Sequence, residues 1–155
     1  MLEPYIIKVE IARSQATAFS VFATQMDQWW PLDTRSMAKM AGTTTQSLAV
    51  EPSINGKIVE HGTDGSQHHW GTIREYKPHH HISMDFHMGL PPEQAGVVSL
   101  QFATVNDKRT TVTLTHSQWE KYGAMAETMY KGYSASWHHI LAERYKAFVE
   151  GQSES

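Results

Sequence analysis

Side-chain chemistry in this chain would fall first to histidine, because its 155 residues include ten histidines and no cysteine. Without cysteine there is no thiolate nucleophile, no disulfide and no cysteine-ligated zinc or iron–sulfur centre. Four of the ten histidines stand in YKPHHHISMDFHMG, residues 76–89. Neighbouring residues on a strand or turn point in different directions, so His79, His80 and His81 do not aim at one ion. No His-Glu-x-x-His sequence supplies the helical spacing of a zinc site either. They read as exposed turn histidines, and no metal is implied. A second group, His61, His68, His69 and His87, meets if the strands between them form a meander. Pairing would then set His61 against His68 and His69 against His87, on opposite sides of the sheet. Two ligands on a face fall short of the roughly three that a catalytic zinc requires. Such histidines serve more naturally as rim groups that change charge between about pH 5 and 8.

His61, Arg74 and His116 form the polar half of a candidate ligand pocket. Strand alternation places them on the concave side of a sheet, among Trp70, Met84, Phe86, Leu100 and Phe102. A cation or imidazole inside an apolar cavity calls for an anionic or polar ligand group. The plainer alternative has Arg74 paired with a neighbouring carboxylate and His116 bonded to backbone at its strand end. No Ser-His-Asp order, phosphate-binding glycine loop or carboxylate pair stands out, so no catalytic residue and no cofactor are assigned. The chain carries 5 Trp, 5 Phe, 6 Tyr and 8 Met. Methionine with aromatics makes adaptable apolar walls, which adds Trp30, Trp119, Tyr133 and Trp137 to the pocket. Taken singly, Met125, Met129, Tyr133 and Trp137 also fit an ordinary helix–sheet core. Trp29-Trp30-Pro31 is either a lid or a buried corner.

These side chains need elements to hold them. Tyr5, Ile7, Val9 and Ile11 alternate with polar residues, which predicts a strand over 4–12. Ser14 stands at an N-cap position before a helix that runs to Thr24. Pro31 stops any helix after the tryptophans, and a loop with one more helical turn reaches Thr45. Strands follow over 46–52, 56–61, 68–77, 81–88, 96–105 and 109–117, separated by turn formers such as Gly62–Gly65, Pro78, Gly89–Pro92 and Asn106-Asp107. Apolar residues from Ala126 to Phe148 then recur at three and four, one long amphipathic helix to 149. Gly132 inside it costs about 1 kcal/mol relative to alanine unless packing requires it. The order gives an α+β fold in which a curved antiparallel sheet covers the last helix. A single domain over 1–150 and a disordered tail at 151–155 are expected.

Several segments carry a family likeness: QWWP, GTIREYKPHHHISMDF, TTVTLTHSQW and SWHHILAERYKAFV. In this order they resemble the group of homologues of the activator of the ninety-kilodalton heat-shock protein ATPase, within the START-like, helix-grip superfamily that also holds the Bet v-like proteins. The likeness spans residues 4–149. The family's threonine–histidine step is matched by Thr115-His116, its following aromatic by Trp119, and its helical glycine–tryptophan by Ser136-Trp137. His79, His80 and His81 stand where the family usually has proline and arginines. The resemblance implies a sheet of six to seven strands around a C-terminal helix, with a cavity between them for a small hydrophobic or amphipathic ligand. Relatives also include cyclase-type enzymes, which here would use a pocket histidine as base, and chaperone-interaction modules. The eukaryotic chaperone activators have a further domain that finds no counterpart in these residues. A homodimer is left open. Thirteen basic against sixteen acidic side chains give a net charge of −3, and no basic stripe invites nucleic acid. The start has no leader pattern and no window approaches the roughly 18 apolar residues of a span, so a cytoplasmic protein without membrane insertion is expected.

Overall fold

A computed structural model describes residues 2–88 and 90–153. Seven strands follow the alternation seen in the sequence: β1 (Tyr5–Ile11), β2 (Thr45–Val50), β3 (Lys57–Gly62), β4 (Gln67–Lys77), β5 (His81–Phe86), β6 (Gly96–Asn106) and β7 (Arg109–Ser117). They form one antiparallel sheet in the order β1-β7-β6-β5-β4-β3-β2, a meander to which the first strand adds beside the last. Between β1 and β2 lie α1 (Gln15–Thr24), α2 (Met26–Trp29) and α3 (Met37–Met40). α1 starts where expected, with the Ser14 hydroxyl accepting from the Thr17 amide. The two single-turn helices occupy the stretch read as loop.

After β7 a 3-10 segment, Trp119–Met125, is broken at Gly123, whose φ of 64° suits glycine. The C-terminal helix then runs as α4 (Ala126–Trp137), a π-helical stretch (His138–Tyr145) and α5 (Lys146–Glu150). The wider π turn sets side chains five apart above one another, and Ile140 and Tyr145 are both buried. Trp137, Leu141 and Val149 complete the row facing the sheet. Tyr145 ties the helix to α1 by donating to the Ala18 carbonyl at 2.6 Å.

The sheet is phased by β-bulges. In β4 the register shifts opposite Ile58/Val59 and again between Ile73 and Glu75. The inward residues are therefore Trp70, Ile73 and Tyr76, three apart, where strict alternation from Trp70 would have pointed Arg74 inward. In β3 the inward set is Ile58, Glu60 and Gly62, which leaves His61 on the outer side. Met1, Gly89 of the expected Gly89–Pro92 turn, and Glu154 and Ser155 of the expected tail lie outside the described residues. At Gln152 the backbone carbonyl still accepts from Arg13 Nε at 2.8 Å.

Candidate functional site

Aromatic rings fill the middle of the space between sheet and helix. Phe86 lies 5.6 Å from Tyr133 and 6.3 Å from both Trp30 and Trp137, ring centre to ring centre. Trp30 in turn meets Trp70 at 5.1 Å. Edge-on and tilted contacts of this kind are favourable beyond the area they bury. Trp29 and Trp30 are a buried corner, 1% and 3% exposed.

His116 is fully buried beside this cluster and bonded on both ring nitrogens. Trp137 Nε1–H donates to Nδ1 at 3.1 Å, and Nε2 faces the Tyr122 hydroxyl at 2.8 Å. Tyr122 donates its own hydrogen to the Phe86 carbonyl at 2.7 Å. A neutral imidazole has one donor and one acceptor, so Nδ1 accepts and Nε2–H donates to Tyr122. The ring also stacks on Trp119 at 3.8 Å. Burial lowers its pKa to about 3. These bonds go to side chains, where the sequence alternative had expected backbone, and they leave no lone pair free for a substrate proton.

Glu60 is the buried carboxylate that sequence reasoning missed. It is 0% exposed. Oε1 accepts from the Met37 amide at 2.9 Å and from Trp70 Nε1 at 3.0 Å. Oε2 accepts from the Ala38 amide at 3.1 Å and the Thr45 hydroxyl at 2.6 Å. Burial pushes this carboxyl up, but the four donors outweigh it and hold the group below its ordinary value. The carboxylate thus fixes α3 and the start of β2 to the sheet.

That fixed segment forms one wall of a cavity of about 360 Å³, and α4 forms the other. Trp30, Tyr133 and Ile140 make its apolar floor. Met40, Met88, Met125 and Met129 surround them, with Gly132 opening the wall on α4. Polar groups come from Thr34, Arg35, Ser36 and Thr128. The volume and apolar lining suit a small organic ligand. A second cavity of about 390 Å³, bordered by Asp33, Lys39 and Thr43–Thr45, lies on the same segment and is more polar.

The candidate pocket residues therefore separate into groups. Trp30 and Tyr133 line the cavity. Trp70, Phe86, His116, Trp119 and Trp137 belong to the aromatic cluster behind it, while Met84, Leu100 and Phe102 are core. His61 and Arg74 are not brought to the site. Arg74 is exposed on the outer face and bonded to Asp85 at 2.5 Å, the plainer of its two readings. His61 lies opposite Gln67, one residue out of register with His68. His69 and His87 do meet, ring centres 4.6 Å apart. Of the three histidines expected in an exposed turn, His79 and His80 are exposed, with His80 near Gln15, whereas His81 is the half-buried first residue of β5 and bonds Glu75. Among the described residues no group of three or more metal-ligating side chains converges. No helix among them is long and apolar enough to cross a membrane.

Similarities to known proteins agree with this architecture. An anthrahydroquino-gamma-pyrone synthase is 26% identical, with 94% of this chain and 96% of that one covered and a TM-score of 0.67. The Aha1 dimer from Colwellia psychrerythraea is 17% identical over 98% of this chain and 100% of that one, TM-score 0.66. A self-sacrificing resistance protein from Micromonospora echinospora is 16% identical over 95% and 94%, TM-score 0.65. No curated protein matches the sequence. Residues 14–146 match the family described as activator of Hsp90 ATPase homolog 1-like protein, and with a seven-stranded sheet gripping a C-terminal helix the chain belongs to that family.

Proposed function

We propose that this protein binds a small, largely apolar molecule in the cavity between α4 and the segment around α3. The observation that carries the reading is the cavity itself, about 360 Å³ and walled by four methionines, a tryptophan and a tyrosine. Burying roughly 200 Å² of apolar ligand surface there would contribute on the order of 5 kcal/mol. The adaptability of methionine suits a ligand of irregular shape. The anthrahydroquino-gamma-pyrone synthase similar to this chain supports the same class of guest. An enzyme built on a pocket histidine is the weaker reading, since among the described residues no histidine lies on the cavity wall. A cytoplasmic setting and a homodimer complete the proposal, the latter supported by the dimeric relative and checked by sedimentation.

Native mass spectrometry of protein purified from cells, followed by thermal shifts with lipids and polycyclic aromatics, tests the binding. A retained small molecule or a stabilising compound is expected, and Gly132→Phe, which fills the wall, should abolish it. Binding that survives Gly132→Phe unchanged would move the ligand elsewhere.

A further inference from the structure

The cavity has a charge asymmetry. Among the described residues Arg35 is the one charged side chain on its lining, and no acidic residue borders it. Among the described residues no hydrogen bond or ion pair is formed by the Arg35 guanidinium. Its backbone, by contrast, is fixed. The amide donates to the Pro31 carbonyl at 2.8 Å, and the carbonyl accepts from Trp30 Nε1 at 2.7 Å. The next residue, Ser36, caps α3 through the Lys39 amide at 3.1 Å. Arg35 is thus a solvent-exposed cation on a rigid backbone mount at the cavity's edge.

A second donor faces the same space. Tyr133 gives its hydroxyl hydrogen to Met88 Sδ at 2.8 Å, and a thioether is a weak acceptor that a charged oxygen would displace. Burial raises the Tyr133 phenol strongly and Tyr122 adds to that, whereas the charge of Arg35 acts in the opposite sense. Both side chains line the same cavity.

We propose that the molecule bound here is an amphipathic anion, its carboxylate or sulfonate held by Arg35 and Tyr133 while the methionine walls take its apolar body. The proposal rests on the ligand-binding reading above and adds the chemistry of the head group. A charge-assisted pair of donors discriminates an oxyanion from a neutral analogue by about tenfold or more.

Two fluorescent probes share one apolar frame and differ by a sulfonate: anilinonaphthalene sulfonate and N-phenylnaphthylamine. Their dissociation constants would be measured for the full chain, Arg35→Met, Tyr133→Phe and Gly132→Phe, each checked for folding by circular dichroism. The anion is expected to bind the unaltered chain at least about tenfold more tightly. Arg35→Met should remove that preference while leaving the neutral dye within about twofold, and Tyr133→Phe should remove part of it. Equal affinities in the unaltered chain, or an Arg35→Met loss that falls on both dyes alike, would overturn the anion proposal. If both dyes bind equally and Gly132→Phe expels both, only the head-group inference fails. If neither is affected by Gly132→Phe, the cavity reading fails with it.

Discussion

The indole of Trp137 donates to Nδ1 of His116 at 3.1 Å, and that bond fixes the histidine as a neutral structural group. A proton added at Nδ1 would point at another N–H. The unfolded imidazole takes up its proton near 6.5, whereas the folded one does so only near 3. Between these values the unfolded chain binds more protons, so stability falls as pH falls.

The loss from His116 should reach about 2 kcal/mol by pH 5. His87, lowered chiefly by burial and then by His69, acts in the same direction. Urea denaturation between about pH 8 and pH 5 measures this. His116→Phe is expected to cost about 2–3 kcal/mol at pH 8 and to flatten the pH slope by about one proton. An unchanged slope would assign the dependence to other groups.

Glu60 acts on the acid side of that window. Its folded pKa lies below its ordinary value, so its contribution is complete above about pH 4.5 and is lost as pH falls through the folded value. Glu60→Gln exchanges one acceptor for an NH2 that faces donors. It should destabilise the fold by about 2–4 kcal/mol, and hydrogen exchange should quicken first at the Met37 and Ala38 amides. Uniform quickening across the sheet would argue against a local clamp.

Beyond its chain neighbours and the backbone of its own helix turn, Gly132 has no atom within 4 Å of where a Cβ would stand. Gly132→Ala should therefore raise stability by about 1 kcal/mol through helix propensity alone, seen as a higher thermal midpoint. A lower midpoint would mean that the wall of α4 packs more tightly than its geometry indicates.

Arg74→Ala should change stability by less than about 1 kcal/mol and leave probe binding unaltered, because the Arg74–Asp85 pair is solvent-exposed on the outer face. A loss of binding would place that residue at the site after all.

The sheet and the long helix were legible because alternation and three–four spacing survive almost unbroken in β1, β5, β7 and α4. Arg74 was misplaced because the bulges of β4 carry no local signal: Trp70, Ile73 and Tyr76 look irregular until the register is known. His61 and Glu60 show the opposite trap, in which the more polar neighbour points inward. A glutamate at a strand centre reads as solvated, and its donors at Met37, Ala38 and Thr45 come from 15–23 residues upstream. The cavity was expected between sheet and helix and lies instead beside the helix. No residue pattern announces that five or six rings will fill the centre. Arg35 passed unremarked because an exposed arginine in a polar loop gives no sign that it borders a cavity.

The two anchors of the cavity wall, the Trp30 indole and the Glu60 carboxylate, hold the stretch from 31 to 45 by its backbone and ends. Between them Asp33, Arg35, Lys39 and Met40 are exposed, while Leu32 and Met37 pack on the core and Ser36, Thr43 and Thr44 are hydrogen-bonded. Exchanging residues 33, 35, 39 and 40, which line the two cavities, for those of another family member would alter what they accept without disturbing the rings behind them. Selectivity in this fold can then diversify as a cassette, inherited separately from the scaffold that carries it.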